Sequence, residues 1–207
     1  MLYHELIPAQ KPGSKSLMVM LHGLGDSIEG YRWLPEAMGF PWLNYVLVNA
    51  PDEYYSGFSW YDFAGDIQPG IERSCKMLVS LLDQLRTLGF ASEDTVLGGF
   101  SQGCLMSIEV GLRYPHRLAG IVGISGYVSS PEKLLRELSP VARHQRLLMT
   151  HGTLDPIVPF ARTKQQVGKL QAAGLAIEWH ELAKPHTIAG EPEMRVIREF
   201  VAAGFPT

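Results

Sequence analysis

Residues 95–115 read TVLGGFSQGCLMSIEVGLRYP. The first six are apolar or glycine, the length and texture of a buried strand. From Gln102 onward the apolar residues fall at helical spacing up to Tyr114 and Pro115, a helix stop. Between them, GFSQG at Gly99–Gly103 fits G-x-S-x-G, a sharp strand-to-helix turn that exposes its serine. Glycine makes up 21 of 207 residues, so a given serine is bracketed this way about once in a hundred by chance. The motif alone therefore leaves two readings open: Ser101 as a nucleophile, or a serine in a glycine-rich turn.

The same alternation extends in both directions. SLMVMLHG (16–23), YVLVNA (45–50), TVLGGF (95–100), LAGIVGIS (118–125), RLLMTHG (146–152) and AIEWHEL (176–182) read as strands. The first five are nearly continuous in apolar residues, as in a sheet covered on both faces. Residues 70–88 place Ile71, Cys75, Leu78, Leu81, Leu82, Leu85 and Leu88 on one helical stripe. Further helices are expected at 102–113, 131–138, 160–173 and 191–203. Strand-then-helix repetition implies right-handed crossovers, hence an α/β fold with a mostly parallel central sheet and helices on both faces. With no repeat, linker or composition break, residues 1–207 read as a single domain. Between 118–124 and 146–150 there is room for one helix and two turns, so no large cap domain is expected. In open sheets of this kind ligands gather beyond the carboxyl ends of the strands, the edge to which Ser101 belongs.

Composition narrows the function classes. The net charge is −3, with no run of Lys and Arg to suggest nucleic acid and no basic amphipathic face for a membrane. No apolar stretch approaches the roughly 20 residues of a spanning helix, and the N-terminus lacks the pattern of a signal peptide. Cys75 and Cys104 show neither metal-site nor disulfide spacing, so both are expected as reduced thiols. A cytoplasmic protein without metal or cofactor is the default expectation.

A serine hydroxyl needs an adjacent base, usually histidine, oriented by a carboxylate. On this fold the order is Ser, then Asp or Glu, then His. Asp155, in LLMTHGTLDPIVP, is the only aspartate after Ser101 and lies a few residues beyond a strand; the competing reading is a turn aspartate before Pro156. Five histidines follow Ser101. His116 falls between a helix and a strand, His144 precedes a strand on the wrong edge, and His151 sits too close to Asp155 in sequence, which suits shaping that loop. His186 lies in the loop between the last strand and the last helix and is preferred, with His180, inside AIEWHEL, as the alternative. An acyl-transfer site also needs N–H donors for the developing oxyanion. The N–H of Gln102 follows the nucleophile; a second can come from Leu24 in HGLGD (22–26), where Gly23 and Gly25 let the backbone bend.

HGLGD, APDEYYSGFSWYD, GFSQG, HGTLDPIVP and a late loop histidine resemble, in order and spacing, the phospholipase/carboxylesterase family of small α/β-hydrolases. The resemblance covers about residues 16–203. It implies Ser101, Asp155 and His186 as catalytic triad and Leu24 and Gln102 as oxyanion donors. An ester substrate also needs an apolar slot beside the nucleophile, for which Trp60, Tyr61, Tyr127, Ile157 and Val158 are candidates by position, and the resemblance favours Ile157 among them. For each of these, core packing is the competing reading, as it is for Met18, Met20, Met106 and Met149. The chain departs from the family at Cys104, where glycine is common, at residues 52–58, and at Lys184-Pro185 before His186. Pro185 should stiffen that loop, and Lys184 should add positive charge near the mouth of the site. The implied activity is a serine carboxylesterase of short- to medium-chain acyl esters, the alternative an acyl-protein thioesterase or lysophospholipase. Its partners would be small acyl esters, acylated proteins or lysolipids, with a homodimer left open. A binding protein that keeps the fold without catalysis is the rival from another class.

Overall fold

The computed structural model describes residues 1–205; the last two residues of the expected domain, 206 and 207, lie outside the described part. Its strands are β1 (His4–Ile7), β2 (Leu17–Leu21), β3 (Asn44–Val48), β4 (Asp52–Tyr54), β5 (Gly57–Ser59), β6 (Thr95–Phe100), β7 (Gly120–Ile124), β8 (Leu147–Gly152) and β9 (Ile177–Leu182). Its helices are α1 (Leu34–Met38), α2 (Gln68–Thr87), α3 (Gln102–Arg113), α4 (Pro131–Arg136), α5 (Phe160–Ala172) and α6 (Glu191–Ala202). Seven strands form one sheet in the order β1-β3-β2-β6-β7-β8-β9. All neighbours run parallel except β1, which pairs antiparallel with β3.

The continuous apolar strands have a simple cause. Successive side chains point to opposite faces, and both faces are buried. In β2, Leu17, Val19 and Leu21 enter the core that also holds Leu78 of α2, Leu105 of α3, Leu134 of α4 and Val167 of α5. Met18 and Met20 enter the opposite core, with Met38 of α1 and Ile197 and Phe200 of α6. The four methionines expected as core are fully or almost fully buried.

All six expected strands and all five expected helices form, with helix ends shifted by at most two residues. Only α4 and a short 3-10 turn at Ala142–His144 lie between β7 and β8, so there is no large cap domain. Three strands went unforeseen. β1 is a half-exposed edge strand, and β4 and β5 form a small separate hairpin. None carries the long apolar run by which a central strand is recognised. No helix is long and apolar enough to cross a membrane among the described residues.

Candidate active site

The turn from β6 into α3 is built on close backbone approach. A Cβ at Gly99 would stand 2.1 Å from the Gly103 carbonyl oxygen, and one at Gly103 2.2 Å from that of Leu21. Both glycines of G-x-S-x-G are thus sterically required. Between them Ser101 takes φ +54°, a left-handed conformation that costs a non-glycine residue on the order of 1–3 kcal/mol. The Ser101 N–H donates to the Ile124 carbonyl at 2.9 Å, which holds the strained residue against β7. Its hydroxyl is left at the carboxyl edge of the sheet.

Two loops from the same edge meet it. His186, between β9 and α6, has Nε2 2.9 Å from Ser101 Oγ and Nδ1 2.7 Å from Asp155 Oδ2. Asp155 lies three residues past β8, and its Oδ1 accepts the N–H groups of Ile157 and Val158, both at 2.9 Å. Burial pushes the Asp155 carboxyl up, but the bonds from His186 and from these two amides outweigh it and hold it below its ordinary value. An ionised carboxylate can only accept, so Nδ1 of His186 carries the proton and Nε2 is free to accept from Ser101. The structure therefore brings Ser101, Asp155 and His186 into one hydrogen-bonded chain. His180 is elsewhere: it sits on the outer surface of β9, paired with Glu178 at 2.7 Å. His151 is fully buried behind Asp155, with Nε2 3.0 Å from the Val158 carbonyl and 3.6 Å from Asp155 Oδ2. Desolvation lowers its pKa, so it stays neutral and shapes the aspartate loop.

Leu24 and Gln102 flank Ser101, and among the described residues the chain offers no acceptor to either backbone N–H. The Gln102 side chain is fully engaged: Oε1 accepts the Trp60 N–H at 3.0 Å and Nε2 donates to the Tyr61 carbonyl at 2.9 Å. It ties the start of α3 to the segment after β5, a bond that G-x-S-x-G gives no hint of.

Ser101 and His186 open on a groove of about 540 Å³. Ile157, 67% exposed, Tyr127 and Val158 line it. Phe63, Ile67, Phe100 and Arg162 also line it, none of them anticipated, because nothing in their local pattern distinguishes them from core or surface residues. Three expectations fail. Trp60 is wholly buried, its Nε1 donating to the His22 carbonyl at 2.9 Å, and takes no part in the groove. Tyr61 is likewise buried and does not line the groove; its hydroxyl lies behind it, 3.0 Å from that of Tyr127. Lys184 adds no charge at the mouth. It is 2% exposed, and its ammonium pairs with Glu193 of α6 and donates to the Thr187 carbonyl at 2.8 Å. Cys104 lies under the turn against Gly123 and Gly126, its thiol pushed up to about 12 by burial and so neutral.

Comparison with known proteins finds likenesses over most of the chain. A family model described as phospholipase/carboxylesterase matches residues 3–204. Acyl-protein thioesterase 1 of Schizosaccharomyces pombe is 37% identical over 155 residues, 69% of either chain. Acyl-protein thioesterase 1 of Yarrowia lipolytica is 31% identical over 196 residues, 84% of this chain and 85% of that one. The crystal structure of esterase PE8 superposes with a TM-score of 0.88 at 31% identity, covering 99% of both chains.

Proposed function

The chain belongs to the phospholipase/carboxylesterase family, and on that premise we propose that it is a serine hydrolase of acyl esters and thioesters, acting through Ser101, His186 and Asp155 as a single domain. The observation that carries this reading is the hydrogen-bonded chain from Ser101 Oγ through His186 to Asp155, opening on an apolar groove.

In this mechanism His186 Nε2 takes the Ser101 proton as Oγ attacks the acyl carbonyl. Asp155 holds the imidazole in the Nδ1–H tautomer and stabilises the imidazolium. The carbonyl oxygen, now an anion, receives the N–H groups of Leu24 and Gln102 beside the positive end of α3. Collapse of the tetrahedral intermediate expels the alcohol or thiol, which takes the proton from His186. Water then attacks the acyl carbonyl as it loses a proton to the same nitrogen, and the acid leaves as His186 returns that proton to Ser101 Oγ.

An open groove without a cap suits acyl chains carried on large partners as well as small esters. Two relatives are named acyl-protein thioesterases, which favours thioesters as the second reading. Ser101→Ala should abolish hydrolysis of p-nitrophenyl butyrate and labelling by a fluorophosphonate. Wild-type rates in that variant would end the proposal, and a wild-type protein that takes no label would favour the non-catalytic binding protein. Parallel acyl-length series on esters and thioesters decide between the two substrate classes.

A further inference from the structure

His22 follows β2 directly and is fully buried, yet it has no place in the reaction just described. Its ring is tied at both nitrogens: Nε2 lies 3.0 Å from the Ala50 N–H and Nδ1 2.6 Å from the Gly23 carbonyl oxygen. A backbone N–H can only donate, so Nε2 is the bare acceptor. Nδ1 therefore carries the hydrogen and donates to Gly23. Burial favours the same neutral ring, holding its pKa below the ordinary histidine value. The main chain of His22 is anchored as well, its carbonyl accepting the Trp60 indole N–H at 2.9 Å.

The Gly23 carbonyl and the Leu24 N–H belong to one peptide plane, and in a trans peptide they point to opposite sides. A hydrogen bond that draws the carbonyl toward the imidazole therefore turns the N–H away from it. Gly23 and Leu24 both line the groove with Ser101. A Cβ at Gly23 would stand 3.3 Å from that of Ser101, so this backbone abuts the nucleophile. Downstream the loop is already pinned, the Gly25 N–H donating to the Phe58 carbonyl and the Phe58 N–H to that of Asp26, each at 2.9 Å. The Gly23 carbonyl also accepts the Asp26 N–H at 3.3 Å, so the His22 bond at 2.6 Å is the closer of two that orient the Gly23–Leu24 peptide, and glycine offers little resistance to a flip once the closer one is lost. We propose that His22 is a positioning residue of the oxyanion hole, its Nδ1–H holding the Gly23–Leu24 peptide so that the Leu24 N–H faces the developing oxyanion. The inference rests on the oxyanion hole of the proposed function.

Two substitutions separate the ring's two bonds. In His22→Asn the amide nitrogen stands where Nδ1 stood, so the donor to Gly23 is kept and the acceptor for Ala50 lost. In His22→Gln the longer amide reaches the Ala50 N–H, and the hold on Gly23 is lost. With p-nitrophenyl butyrate, His22→Gln should lose kcat on the order of 100-fold, as when one oxyanion donor is removed, with KM changed by less than about twofold. Affinity for butylboronic acid, whose adduct with Ser101 is tetrahedral, should fall in step, while His22→Asn stays within about fivefold of wild type in both. Equal losses in the two variants, or wild-type kcat in His22→Gln, would overturn the inference. Should either variant fail to fold, nitrogen-15 spectra of the wild-type imidazole supply the test. A protonated Nδ1 with bare Nε2 supports the assignment, and the opposite tautomer overturns it. Failure of the hydrolase reading is a different result, namely turnover that survives Ser101→Ala.

Discussion

Replacing Glu193 with glutamine removes the counter-charge from an ammonium that is 2% exposed, without changing the size of the side chain. In the native chain Glu193 Oε1 takes the Lys184 ammonium, while Oε2 accepts the Ala189 N–H at 2.6 Å. The Lys184 ammonium also donates to Thr187 at 2.8 Å, so the pair closes residues 184–189 on both sides of His186. Burial pulls the Lys184 pKa down and Glu193 partly offsets it, so the carboxylate is what keeps this charge tolerable. Breaking one partner of such a pair costs about 3–5 kcal/mol, a large share of the roughly 5–15 kcal/mol by which domains are stable. For a chain of this size each kcal/mol moves Tm by about 2–4 °C, so Glu193→Gln should melt on the order of 10 °C lower. Lys184→Met should cost a similar amount, by stranding the carboxylate. The double variant leaves no unpaired charge and should be more stable than the sum of the single losses predicts, by about 2 kcal/mol or more. Urea unfolding followed by tryptophan fluorescence measures all four corners of the cycle, and kcat in each folded variant reports whether the histidine loop has slackened. Single losses under about 1 kcal/mol, or strict additivity, would refute the view that this pair clamps the loop.

Three further outcomes follow from the groups around the site. Burial holds the imidazoles of His22 and His151 below their ordinary value of 6.5, so the unfolded chain binds more protons than the native one once pH drops past that point. Stability should be complete above about pH 6.5 and erode below it, by up to about 1.4 kcal/mol per pH unit for each ring; urea midpoints that stay flat from pH 8 to 5 would contradict this. Asp155→Asn should lower kcat by about 10³–10⁴ with little change in KM, because an amide no longer enforces the Nδ1–H tautomer of His186. The carboxylate's contribution to stability is present above the ordinary aspartate value of 3.8 and lost as pH falls through its lower folded value. Wild type and variant should therefore converge in stability at strongly acid pH, as a urea series would read.

The sequence by itself determined the parallel sheet, because a strand buried on both faces must be apolar along nearly its whole length, and β2, β3, β6, β7 and β8 are, with Asn44, Thr95, Thr150 and His151 the polar exceptions. It also determined the turn at Ser101, because the backbone approaches at Gly99 and Gly103 leave room for no Cβ. Chain order and strand ends narrowed the carboxylate to Asp155 and the base to two histidines. What local pattern cannot carry is the direction in which a side chain points. His180 and His186 are six residues apart, and only the packing of the last loop against β6 brings one of them within 2.9 Å of Ser101. Trp60 follows a hairpin strand too short to show a period, and the Gln102 amide and the His22 carbonyl draw it inward. Lysine is seldom buried, so Lys184 reads as a surface charge until Glu193, nine residues later, turns back on α6 to meet it. Residues distant in sequence decide these points, since burial, pairing and peptide orientation are set by neighbours that only the folded chain supplies.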